Sequence, residues 1–188
     1  MGTFHLAHFN AARLRAPLDD PATAGFVAGL DPINALADRS PGFVWRLADG
    51  PVGNTTVTPV DGVIATLSVW ESLEALRAFT YQSEHLDYLR RRHDWFVSLG
   101  YRASLVLWWI PAGTIPTPQE GVTRLRRLGE HGPTPEAFTF RQPFPTPEAP
   151  ASAAPEMLVP TAPETLVPTA PETATAAVPP SPLQARPA

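Results

Sequence analysis

The 188-residue sequence contains no cysteine, and all fourteen of its basic side chains are arginine, so lysine is absent as well. The first absence excludes thiolate nucleophiles, disulfides and cysteine-ligated metal or haem. The second excludes Schiff-base chemistry and a lysine general base. Long apolar runs are also missing: no window approaches the ~20 residues a membrane helix needs. Met1-Gly2-Thr3-Phe4-His5 shows neither a basic region nor an apolar stretch of signal length, which makes a cytoplasmic address the expectation. Positive charge is scarce. Formal net charge is −4, and the dense basic runs, Arg90-Arg91-Arg92 and Arg124/Arg126/Arg127, fall on expected helices as solvated faces. Neither nucleic acid nor membrane is therefore an expected partner.

Proline, by contrast, is abundant, and it divides the chain. Leu158-Val159-Pro160-Thr161-Ala162-Pro163-Glu164-Thr165 recurs unchanged at residues 166–173. Proline every few residues removes backbone donors and fixes φ, so neither helix nor sheet propagates there. Few large apolar groups are available to offset the entropy of ordering. The expectation is a folded domain over residues 1–145 and a disordered Pro/Ala/Thr-rich tail over 146–188.

Within the domain, the hydrophobic period switches repeatedly. Residues 4–13 alternate as a strand, with Phe4, Leu6, His8 and Asn10 on one face. Asp20-Pro21 and Asp31-Pro32 each read as an N-cap followed by proline at the first helical position. Ser40-Pro41-Gly42 ends the second of these helices. Strands are expected at 43–47, at 62–69 (β-branched, hence central) and at 101–110, with a turn over 49–54. Helices are expected at 73–79, with a break at Thr80-Tyr81, and at 84–97 behind an N-cap at Ser83. A further helix begins at Thr117-Pro118-Gln119-Glu120, a capping box, with Val122, Leu125 and Leu128 as its buried stripe. A short strand over 137–141 closes the domain. The order β–α–β–β–α–β, plus a helix and a strand, predicts an α+β, ferredoxin-like antiparallel sheet with helices on one face. Large apolar groups on both faces of 105–110 predict that the second face is covered too, most simply by a second copy.

Several ordered motifs carry a family likeness. They are Gly42-Phe43-Val44-Trp45-Arg46-Leu47, Ser68-Val69-Trp70-Glu71-Ser72, Tyr81-x-Ser83-x-His85, Trp95-Phe96, Leu107-Trp108-Trp109, Gly113-x-x-Pro116-Thr117 and Gly132-Pro133-Thr134-x-x-Ala137-Phe138-x-Phe140. Together they resemble a bacterial domain-of-unknown-function family grouped with the dimeric α/β-barrel proteins, akin to the antibiotic-biosynthesis monooxygenases. The resemblance spans residues 3–145 and implies a homodimeric α/β barrel. Its implied activity is monooxygenase-like, on a small aromatic or polycyclic substrate or on haem. The chain is also loosely similar to haem-degrading monooxygenases of that superfamily. There an Asn on the first strand, a Trp closing the third and a helical His share a pocket; Asn10, Trp70 and His85 or His93 hold comparable places.

The residues themselves suggest roles beside that likeness. His85 follows an N-cap, where the helix dipole favours neutral imidazole, suited to a general base or an axial haem ligand. His93, on a stripe with Leu86, Leu89 and Phe96, reads as a core histidine. Asn10, a polar amide in a buried strand, needs partners or a ligand. Arg46 pairs with an anionic group or with a neighbouring acid. Trp70, Tyr81 and one of Trp108 and Trp109 are candidate walls, with packing as the competing role. The expected set is His85 and Asn10 for catalysis, and Trp70, Tyr81, Arg46 and Trp108 for substrate. No metal is expected, and the cofactor is either none or haem. The alternative is a non-catalytic dimeric protein that binds a small ligand or serves in stress.

Overall fold

The computed structural model describes residues 4–48, 56–57, 62–98 and 103–147. Contacts divide the chain into a unit of residues Met1–Ser152 and a second of Ala153–Ala188. The repeat tail, the expected turn over 49–54 and the start of the strand expected from Tyr101 lie outside the described residues.

Six strands form one sheet: β1 (Phe4–Leu14), β2 (Phe43–Arg46), β3 (Thr56–Val57), β4 (Val63–Trp70), β5 (Phe96–Val97) and β6 (Leu105–Pro111). The four longer ones lie in the order β2-β4-β1-β6, all antiparallel, which is the ferredoxin-like arrangement. β4 is central, as its β-branched composition predicts. β3 extends pairing along β4, and β5 pairs with the end of β1.

Strand periodicity gives the sheet two distinct faces. Ala7, Phe9 and Ala11 of β1 lie with Val63, Ala65, Leu67 and Val69 of β4 and with Val106, Trp108 and Ile110 of β6, all buried. The opposite face carries Leu6, Trp70 and Leu107, but also the polar His8, Asn10, Thr66 and Ser68. This second face meets helices α1 (Ala24–Asp38), α2 (Leu73–Gln82), α3 (His85–Arg90) and α4 (Arg92–Trp95). Each fully buried Leu or Phe contributes about 1.5–3 kcal/mol, which fixes the register, since a one-residue slip would exchange the faces.

The first, apolar face was expected to need a second copy. Instead helix α5 (Pro118–His131) covers it within the chain. Gly121 faces Phe9 so closely that an added Cβ would sit 2.4 Å from the ring, and Leu128 is buried in the same cluster. Val122, expected in the buried stripe, is exposed. Thr117 caps α5, its hydroxyl accepting the Glu120 N–H at 3.2 Å, and Gly132 ends the helix at φ 76°.

Three local expectations give way to tertiary contacts. Asp20 caps only a 3-10 turn (Pro21–Thr23), and α1 then runs straight through Asp31-Pro32. Proline removes an N–H there, but Ala28 is exposed, so water can take the carbonyl left without a partner. The break expected at Thr80 is absent: its hydroxyl bonds back to the Leu76 carbonyl at 2.7 Å, and α2 continues to Gln82. The helix expected over 84–97 instead divides at Arg91 and stops at Trp95. Phe96 and Val97 join the sheet beside Leu14 and Arg13, and the Arg15 N–H bonds to the Trp95 carbonyl at 2.8 Å. Sheet pairing there overrides helical periodicity. The strand expected over 137–141 reduces to isolated bridges. Phe138 exchanges two backbone hydrogen bonds with Leu107, at 2.8 and 2.9 Å, and is fully buried.

Candidate functional site

A cavity of about 670 Å³ separates the polar face of the sheet from α1–α4. Its floor follows from strand register. His8 of β1 pairs with Ser68 of β4, which pairs in turn with Arg46 of β2, so three polar residues form one row across three strands. Asn10 and Thr66 form the next row. An aromatic column makes one wall. Phe43 meets Trp70 edge-on at 5.2 Å, Trp70 stacks on Phe79 at 5.0 Å, and Phe79 lies 4.8 Å from the His85 ring.

Local sequence places each of these groups. Ser72 caps α2 by accepting the Ala75 N–H at 3.1 Å, which starts the helix immediately after Trp70 and carries Phe79 over the indole. Ser83 then turns the chain: its hydroxyl bonds to the Phe79 carbonyl and accepts the His85 N–H. His85 is thereby folded back, with Nδ1 3.3 Å from the Thr80 carbonyl. A carbonyl only accepts, so Nδ1 carries the proton and the Nε2 lone pair is free.

His8 is the residue sequence reading passed over. Its Nδ1 lies 3.2 Å from Ser68 Oγ, which also accepts the Trp70 indole N–H at 3.0 Å. Ser68 Oγ keeps a second lone pair as well as its own proton, so its contact with His8 Nδ1 forms with either ring nitrogen protonated. Burial, and to a smaller degree the nearby His85, lower the His8 pKa from 6.5 to about 4. Burial also lowers His85, partly opposed by the Thr80 carbonyl. The expectation of a depressed His85 holds, with burial rather than a helix dipole as the leading cause. The site thus presents two neutral imidazoles, and that of His85 offers its Nε2 lone pair. The signal for His8 was its place two residues before Asn10, on the same face of β1.

Arg46 is held by Asp38 at the end of α1 through Nε at 2.6 Å and Nη2 at 2.8 Å. This hydrogen bonding pulls the Asp38 carboxyl below its usual range. Tyr81 stands at the rim, 44 % exposed, its ring edge-on to Phe140 at 5.5 Å. The structure therefore gathers His85, Asn10, Trp70, Arg46 and Tyr81 around one cavity. Trp108 is elsewhere: it is fully buried on the α5 face, with the Arg124 guanidinium 5.1 Å from its ring. Trp109 packs on the other face with Phe138, its indole N–H donated to the Phe144 carbonyl at 2.8 Å. His93, expected in the core, is exposed, because the helix that would have buried it breaks at Arg91. Among the described residues no cluster of three or more His, Asp or Glu is placed to hold a metal, and no helix is long and apolar enough to cross a membrane.

Residues 5–154 match the family model described as Domain of unknown function (DUF3291). The chain belongs to this family. No curated protein matches it. Among solved structures, the chain is similar to SnoaB, a cofactor-independent oxygenase from Streptomyces nogalater. The identity is 18 % over 60 % of this chain and 98 % of that one, with a TM-score of 0.42. It is similar to PA3566 from Pseudomonas aeruginosa at 13 % identity, over 61 % and 97 % of the two chains, with a TM-score of 0.38. It is also similar to the ActVA-Orf6 monooxygenase of Streptomyces coelicolor in complex with nanaomycin D. There the identity is 16 % over 62 % and 93 %, with a TM-score of 0.31.

Proposed function

We propose that this DUF3291 domain is a small-molecule enzyme of monooxygenase-like type, acting on an aromatic substrate held in the cavity. The observation that carries the reading is the pair of neutral imidazoles, His8 and His85, beside an aromatic wall in a cavity of about 670 Å³. His85 Nε2 takes a proton from a hydroxyl or activated C–H of the substrate. The His8 N–H, with Asn10, donates to the oxygen or carbanion on which the electron pair develops. Trp70 and Tyr81 enclose the ring system and Arg46 orients it. The electron-rich anion then reduces dioxygen: an activated methylene and O₂ give a carbonyl and water, which balances without a further reductant.

Oxygen uptake with a panel of quinols and anthrones tests this. Turnover that falls at least about tenfold in His85→Gln supports it. No turnover on any of them favours the non-catalytic binding protein. A haem reading has one specific support: the Nδ1–H of His85 is anchored on a carbonyl and its Nε2 is free, the arrangement an axial imidazole needs. Haemin titration decides it, by a Soret shift present in wild type and lost in His85→Ala. Light scattering tests the homodimer that the sequence resemblance implies, by finding either one or two times the 20.3 kDa chain mass.

A further inference from the structure

Two hydrogen-bond donors on the cavity lining have no partner among the described residues: Arg46 Nη1 and Asn34 Nδ2, both buried. Asn34 comes from α1 and Arg46 from β2, and both line the cavity that His8 and His85 also line. Arg46 is not free to turn toward another acceptor, because Asp38 already holds its Nε and Nη2. The outward arm of the guanidinium is therefore fixed in place with its N–H groups unmet. A buried unmet donor costs about 1–3 kcal/mol, more when charged, and such groups normally have a partner.

Resting on the reading of this cavity as an aromatic-ligand site, we propose that Arg46 Nη1 and Asn34 Nδ2 form a donor clamp for an acceptor oxygen, carbonyl or carboxylate, at the end of the ligand away from the imidazoles. Strand register sets the spacing. Arg46 and His8 flank Ser68 in one row, two strand spacings apart, roughly 10 Å. A ligand that fills both subsites presents an acceptor oxygen at one end and the group that loses a proton at the other. The Asp38 carboxylate balances the Arg46 charge, so the clamp takes a neutral carbonyl as well as an anion.

The test uses three naphthalene probes of similar size, followed by tryptophan fluorescence and calorimetry: 2-naphthoate, 2-acetylnaphthalene and 2-methylnaphthalene. The expected result is binding of one or both oxygen-bearing probes about tenfold or more tighter than 2-methylnaphthalene. A gain for 2-naphthoate alone identifies an oxyanion subsite, and a gain for both identifies a carbonyl subsite. Arg46→Lys keeps a cation for Asp38 but removes the outward arm, and Asn34→Leu removes only the amide. Each should erase most of the preference, read as the ratio of affinities for the oxygen-bearing probes and 2-methylnaphthalene within the same variant. If Asn34→Leu fails to fold, Arg46→Lys and the wild-type ranking still decide. Equal binding of all three probes overturns the clamp and leaves the aromatic cavity standing. Binding of none overturns both.

Discussion

The neutral state of His8 has a consequence that can be measured without knowing any substrate. Above pH 6.5 the imidazole is uncharged both in the fold and in the unfolded chain, so it leaves stability independent of pH. Below 6.5 the unfolded chain takes up a proton that the buried ring refuses until about pH 4. The unfolded state then holds more protons, and stability falls as pH falls through that window. At pH 5 this linkage removes about 2 kcal/mol relative to pH 7.5, and roughly 3 kcal/mol once pH is below 4. With a urea slope of about 2 kcal/mol per molar, the midpoint drops by roughly 1 M. His8→Gln does not titrate and still offers Ser68 a hydrogen-bond partner. Urea unfolding of both proteins at pH 7.5 and pH 5 isolates the effect, because carboxylates and the other histidines are common to both. The wild type should lose about 2 kcal/mol more than the variant. Parallel losses would refute the argument and place His8 in contact with water.

Helix α5 should be sensitive to side-chain volume on one face only. Gly121→Val drives a side chain into Phe9 and should cost about 1–3 kcal/mol, whereas Gly129→Ala, with open space around it, should gain about 0.5–1 kcal/mol; thermal melts read both. Phe138 is the hydrophobic anchor that joins the chain after α5 to β6. Phe138→Ala should cost about 3–5 kcal/mol, and a near-neutral value in urea unfolding would show that this segment does not hold the sheet edge. Deleting residues 146–188 should leave Tm and ligand binding unchanged. Phe144 is kept in that variant, and its carbonyl accepts the Trp109 indole N–H. A lowered Tm would move the domain boundary toward residue 154, where the family match ends.

What the sequence determined by itself follows from local rules. Alternation set β1, composition set β4 as central, and Thr117 marked the start of α5, because caps and strand periods act within a few residues. Those elements suffice for the ferredoxin-like order. The same period placed Asn10 on a strand, and Asn10 lines the cavity. The tertiary structure decided the rest, and long-range contacts are the reason in each case. The pairing of Phe96 and Val97 with β1 cut short a helix that periodicity favoured, and this exposed His93. The close approach of Gly121 to Phe9 brought α5 onto a face that seemed to need a second copy, and it left Trp108 buried away from the cavity. His8 gained its depressed pKa only when packing buried it and brought His85, 77 residues along the chain, beside it. A period says which face a side chain takes; only packing says what that face meets.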